Sequence, residues 1–131
     1  MILVDTSVLI DFFRGVKNPK TEVFDSILQY KLPYGITPYT FAEILQGAEN
    51  DGEYEKIKDY LSTQVIYFLP SGIEIYEEAA RISFDLHAQG FAPRSTADIL
   101  TVLTAKKNGL LLLHNDRDFD ILISMAGALS L

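Results

Sequence analysis

The chain has 131 residues, 48% of them hydrophobic, which is enough for one globular domain with a buried core. It contains no cysteine, which excludes disulfides and thiolate metal sites. Its net charge of −7, from 18 acidic against 11 basic residues, argues against holding nucleic acid by bulk electrostatics, yet leaves room for an enzyme that meets phosphates through a bound cation. No apolar run approaches membrane-spanning length, and the start lacks the basic flank and long apolar core of a signal peptide. A cytoplasmic protein is therefore expected.

Ile2, Leu3 and Val4 read as a short strand buried on both faces, and Asp5 follows at once. Charge is expensive inside such a strand, so Asp5 belongs where the strand emerges, as a cap or as part of a working site. From Ser7 to Arg14, Val8, Leu9, Phe12 and Phe13 recur at helical spacing, and Gly15 ends the segment. After a polar loop with Pro19, Val23, Phe24, Ile27 and Leu28 form the buried face of a second helix. KLPYGIT, punctuated by Pro33 and Gly35, reads as a second short strand. TFAEILQGAENDGEYEKIKDYLS reads as two helices broken around Asn50 to Gly52. VIYFLP, β-branched and aromatic and closed by Pro70, reads as a third strand. A long helix follows from about Ile73 to Gln89, then a loop, HAQGFAPRS, carrying Gly90 and Pro93. STADILTVLTAKKNG is a further helix, with Lys106 and Lys107 complementing its dipole and Gly109 as the stop. LLLLH is a strand of the doubly covered kind, and AGALSL offers an edge strand.

Strands alternating with helices predict an α/β/α sandwich around a central parallel sheet of four or five strands. Ligands in such folds collect beyond the carboxyl ends of the strands. Asp5 is at that end of the first strand, and Asp116 and Asp118, in HNDRDFD, follow the leucine strand to the same edge. Two further acids begin helices at capping-box spacing: Thr40 precedes Glu43 by three residues, and Ser95 precedes Asp98 by three. Taken singly, each reads as a cap. Helix N-termini in an alternating fold nevertheless face the edge where the strands end, so capping and convergence are compatible.

Asp5, Glu43, Asp98 and Asp116 thus form a candidate cluster from four separate segments. Four carboxylates without a cation repel, and some take up protons. A hard divalent ion, Mg²⁺ or Mn²⁺, removes the conflict, whereas zinc is disfavoured with no cysteine and two histidines. Metal-assisted phosphoester hydrolysis is the natural chemistry of such a site.

MILVDTSVLIDFFRG, TFAEILQG and STADILTVLTAKKNGLLLLHNDRDFD, in that order, resemble a PIN domain, and in particular the VapC toxins of VapBC toxin–antitoxin systems. The resemblance covers essentially the whole chain and implies a single PIN domain over residues 1–131. It implies that Asp5, Glu43, Asp98 and Asp116 are the four family acids and metal ligands, with Asp118 a companion and Ser7 or Thr6 the hydroxyl that orients the first acid. It also implies a Mg²⁺- or Mn²⁺-dependent endoribonuclease, cutting RNA such as tRNA or rRNA by an activated water. A homodimer inhibited by a cognate VapB-type antitoxin would be its assembly, with DNA met only through the antitoxin.

Arg94 and Arg117 flank two of the proposed ligands and are the candidate phosphate contacts, against the plainer reading as solvated surface charge. His87 and His114 read as packing or hydrogen-bonding residues, and Asp11 as a solvent-facing or capping one. Three rivals remain. A haloacid-dehalogenase-type phosphatase wants a second acid where Ser7 stands. A receiver domain wants a lysine after the last strand, and AGALSL has none. A silent PIN-like scaffold, acting through its antitoxin, would be signalled by lost acids, and all four are present.

Overall fold

Neighbouring residues of a strand point to opposite faces of its sheet, and the inner strands of this protein feed two cores in that way. Leu3 and Leu112 face one core, and Val4 and Leu113 face the other. The computed structural model describes residues 1–92 and 94–131. Pro93, expected in the loop before the penultimate long helix, lies outside the described residues.

The elements run β1 (Ile2–Val4), α1 (Thr6–Phe13), α2 (Pro19–Gln29), β2 (Tyr34–Ile36), α3 (Pro38–Gln46), α4 (Asp51–Ser62), β3 (Val65–Ile66), α5 (Glu74–Ala88), α6 (Thr96–Lys107), β4 (Leu111–Leu113), α7 (Asp118–Ala126) and β5 (Leu129–Ser130). Their sheet order is β3-β2-β1-β4-β5, and every pairing is parallel. Val8 and Leu9 of α1, Phe24 and Ile27 of α2, Ile44 of α3 and Leu61 of α4 pack on one face. Residues of α5, α6 and α7 pack on the other. The result is the expected three-layer α/β/α arrangement, with five strands. Among the described residues, no helix is long and apolar enough to cross a membrane.

Ile99 through Ala105 of α6 are all buried, so this helix is enclosed in the core. The hydroxyls of Thr101 and Thr104 are satisfied within it, donating to the carbonyls of Ala97 and Leu100 at 2.8 and 2.7 Å. The chain runs outward from β1 through β2 to β3, then returns to place β4 on the other side of β1. That reversal opens a crevice at the carboxyl ends of β1 and β4, where Asp5 and the segment after Leu113 meet. The Asp5 amide donates to the Leu113 carbonyl at 2.9 Å and closes the floor of the crevice.

Four local expectations need correction. VIYFLP is paired only at Val65 and Ile66, because β3 is a sheet edge with one neighbour; the Tyr67 amide still reaches the Ile36 carbonyl at 2.9 Å before the chain departs. The break between α3 and α4 falls earlier than expected, at residues 47–50, with Asn50 as N-cap and Gly52 inside α4. α3 is capped by Thr37, whose hydroxyl accepts from the Thr40 amide at 3.1 Å. Glu43 therefore lies in the second turn and is not the partner of a cap at Thr40. Finally, α7 was not expected at all. Phe119, Leu122, Ile123 and Ala126 give it a buried stripe at helical spacing, and Gly127 ends it at φ 73°.

Candidate active site

Asp5 is the best-anchored acid. It leaves β1 in extended conformation and caps α1, where its Oδ2 accepts from the Ser7 amide at 3.1 Å and the Ser7 hydroxyl at 2.7 Å. Only 7% of the residue is exposed. Burial raises its pKa above the ordinary aspartate range, the Ser7 bonds pull it back, and the charge of Asp98 raises it again.

The choice between Ser7 and Thr6 is decided by direction. Ser7 Oγ faces the carboxylate, whereas the buried Thr6 hydroxyl turns to α3 and donates to Thr40 Oγ1 at 2.9 Å. Thr37 Oγ1 lies 3.4 Å from the same Thr40 oxygen. This buried set of hydroxyls ties the start of α1 to the start of α3, one turn before Glu43. Glu43 is an exposed residue, but partial desolvation of its carboxyl, then the charges of Asp5 and Asp98, raise its pKa. Asp98 sits in the first turn of α6, where Ser95 is the N-cap and its Oγ accepts from the Asp98 amide at 3.1 Å. Among the described residues the reciprocal bond of a capping box is absent, so the Asp98 carboxylate is not spent on the cap.

Asp5, Glu43 and Asp98 therefore share one electrostatic field. Asp116 and Asp118 form a second group. The Asp118 amide donates to Asp116 Oδ1 at 2.9 Å, and Arg94 Nη2 lies 3.7 Å from that oxygen and 2.6 Å from Asp118 Oδ2. Arg94 thus pairs with the chain's own acids and is not a solvated surface charge. Arg117 is exposed at the start of α7 and has no ion pair among the described residues.

Sequence reasoning missed a strut between the two groups. The Asn115 amide donates to Ser7 Oγ at 3.0 Å, and Asn115 Nδ2 donates to Asp11 Oδ2 at 3.1 Å. Asn18, the N-cap of α2, donates to the same Asp11 oxygen at 3.3 Å. Asp11 is thus a half-buried anchor for the loop that carries Asp116. Its signal was its position four residues after Ser7, on the same face of α1. His114 is buried, accepts from the Asp116 amide through Nδ1 at 3.3 Å, and packs on Phe119, so it acts as a hydrogen-bonding residue.

Among the described residues, no three or more His, Cys, Asp or Glu side chains close into a ready metal-ligating set. The chemistry of the donors nevertheless fits a hard divalent ion. All are carboxylates; burial chiefly raises Asp5 and Glu43, and neighbouring like charge adds to it, a conflict that a bound cation would relieve.

Among known proteins, the PIN domain family matches residues 2–122. A solved structure described as a toxin–antitoxin complex from Klebsiella pneumoniae is similar, with a TM-score of 0.65, 23% identity, and coverage of 91% of this chain and 90% of that chain. At that identity the likeness speaks for the fold. No match was found among curated proteins.

Proposed function

The chain belongs to the PIN domain family, and from that premise we propose that it is a Mg²⁺- or Mn²⁺-dependent endoribonuclease, the VapC-type toxin of a toxin–antitoxin pair. PIN domains are generally nucleases, so hydrolysis of a phosphodiester is the coarse class. The observation that carries the reading is placement: Asp5 follows β1, Asp116 follows β4 and Asp98 lies in the first turn of α6, at the edge where the parallel strands β1 and β4 end.

In this reading Asp5, Glu43, Asp98 and Asp116 hold the ion, with Asp118 beside them. When bound, the ion supplies Lewis acidity at the scissile phosphate and an activated water. The chain's own contribution is orientation. Ser7 aims Asp5 and favours its charged form, the Asp11–Asn115 strut fixes the loop of Asp116, and the threonine set holds α3 and Glu43 to α1. Arg117, exposed at the start of α7, is placed to meet backbone phosphate directly, whereas Arg94 is engaged by Asp116 and Asp118.

Removing Ser7's hydroxyl tests this orientation. Ser7→Ala is expected to lower cleavage about tenfold to a hundredfold, as loss of a residue supporting a metal ligand commonly does. It also removes a bond that favours the charged Asp5, so the acidic limb of the pH–rate profile should shift to higher pH. An unmoved limb would reduce Ser7 to a helix cap.

The same proposal includes an antitoxin partner and a homodimer. The antitoxin part is supported by the toxin–antitoxin neighbour in fold and by a groove of about 450 Å³ between α1, α3 and α4. Ile10, Phe13, Ile44, Ile57 and Tyr60 line the groove together with Glu43 and a charged set that includes Arg14 and Lys56, so an amphipathic antitoxin segment seated there would also cover Glu43.

The direct experiment is cleavage of a labelled panel of tRNA and rRNA fragments with Mg²⁺, Mn²⁺ or EDTA. Cutting that needs the ion is expected. Silence on every RNA, together with no Mn²⁺ binding, would favour the scaffold reading.

A further inference from the structure

Arg94 leads into α6, and its side chain is only 18% exposed. A guanidinium so withdrawn from water normally grips a carboxylate as a two-pronged fork. Here Nη2 approaches Asp118 Oδ2 to 2.6 Å yet is buried without an aligned hydrogen bond among the described residues. Arg94 is thus held by charge more than by fitted geometry. The charge it answers is local, because the bond from the Asp118 amide draws Asp116 and Asp118 together. By contrast, among the described residues none of Asp5, Glu43 and Asp98 has an ion pair. Among the described residues, the Asp116–Asp118 group thus pairs with a cation and the Asp5–Glu43–Asp98 group does not.

We infer that Arg94 is the resident cation of the Asp116–Asp118 pair, that a divalent ion reaching these carboxylates displaces it, and that the freed guanidinium then takes a phosphate of the bound RNA. The inference rests on the proposed metal-dependent function. A divalent ion and a guanidinium repel each other, so they compete for the same carboxylate oxygens. Once displaced, the planar fork of arginine matches a phosphate two oxygens at a time.

The test is Mn²⁺ affinity without RNA, read by electron paramagnetic resonance of the free ion, beside cleavage by the same proteins. Arg94→Gln is expected to bind Mn²⁺ roughly tenfold tighter, since a competing positive charge is gone. Asp118→Asn in that background should take much of the gain back, while Arg94→Lys should stay within about twofold of wild type. Cleavage should move the opposite way, with kcat/KM of Arg94→Gln falling roughly tenfold as a phosphate contact is lost. A merely structural arginine would not move the two readouts in opposite directions. Unchanged or weaker Mn²⁺ binding in Arg94→Gln overturns the displacement, and faster cleavage overturns the phosphate contact. Wild type that binds no Mn²⁺ sinks the metal reading itself, whereas wild type that binds while Arg94→Gln gains nothing sinks this inference alone. Should Arg94→Gln fail to fold, Arg94→Met keeps the packed stem, removes the same charge and is expected to move both readouts in the same directions.

Discussion

Asp5→Asn is expected to lower RNA cleavage by about a thousandfold or more while making the metal-free protein more stable. The first effect follows from the proposed function, in which Asp5 is a metal ligand whose charge supports several kcal/mol of transition-state stabilisation. The second follows from burial. Asp5 is 7% exposed, its carboxyl is raised chiefly by desolvation, and the charge of Asp98 adds to it. Asparagine caps a helix about as well as aspartate, so the amide can still accept from Ser7 at the start of α1. A gain of about 1 kcal/mol, or about 4 °C in melting temperature, is the expected size. Were Asp5 only a cap, Asn would leave cleavage nearly unchanged while still raising metal-free stability.

The same residue gives a pH dependence with a definite sign. The folded carboxyl holds its proton more tightly than the unfolded one. Metal-free stability should therefore fall as pH rises from about 3.9 through the higher folded value, and level off beyond it. Glu43 is raised in the same sense, but its exposure makes its share smaller. Denaturant melts across that window should slope downward for wild type and more gently for Asp5→Asn. Saturating Mn²⁺ should reverse the slope, because the ion binds the ionised form. A wild-type slope that matches Asp5→Asn would remove the electrostatic account of the site.

Gly35→Ala is expected to destabilise the fold by about 2 kcal/mol, lowering the melting temperature by about 8 °C. Gly35 is buried in β2, paired with Leu3 on one side and Val65 on the other. A Cβ there would stand 2.4 Å from Tyr67 Cε2 and 2.9 Å from the Val65 carbonyl oxygen. The ring can turn away, but the carbonyl belongs to the paired edge strand and can shift only with it. Tyr67→Ala should therefore restore part of the loss in the double variant, measured as a double-mutant cycle. Cleavage should fall as well, since β2 leads through Thr37 into α3 and sets the position of Glu43. A melting temperature within a degree or two of wild type would mean that β3 yields freely.

Legibility varied with the range of the interaction involved. The parallel strands could be read because Ile2–Val4 and Leu111–Leu113 must satisfy apolar contacts on two faces, and that demand is written in consecutive residues. α6 was similarly plain, with Ser95 before it, lysines in its last turn and Gly109 beyond. α7 was obscured because its first turn, Asp118 to Asp120, reads as the acidic loop after β4, although Phe119, Leu122, Ile123 and Ala126 repeat at helical spacing. The cap of α3 was misplaced for another reason. Thr37 and Thr40 both suit an N-cap, and Pro38 at the first helical position is what favours Thr37.

By itself, the sequence determined what depends on local pattern and composition: an α/β/α fold, acids at strand ends and helix starts, and an oxygen-only donor set with no thiolate. Its resemblance to PIN domains carried the choice of four acids. Only the tertiary structure decided which side chains meet. It turned Ser7 toward Asp5 and Thr6 toward Thr40, made Asp11 and Asn115 a strut, and brought Arg94 onto Asp116 and Asp118. The physical reason is that these contacts join segments as much as 108 residues apart, as Asn115 and Ser7 are. A hydrogen bond or ion pair of that separation leaves no periodicity in the chain, because its partners are brought together by the packing of two cores and the crevice between β1 and β4.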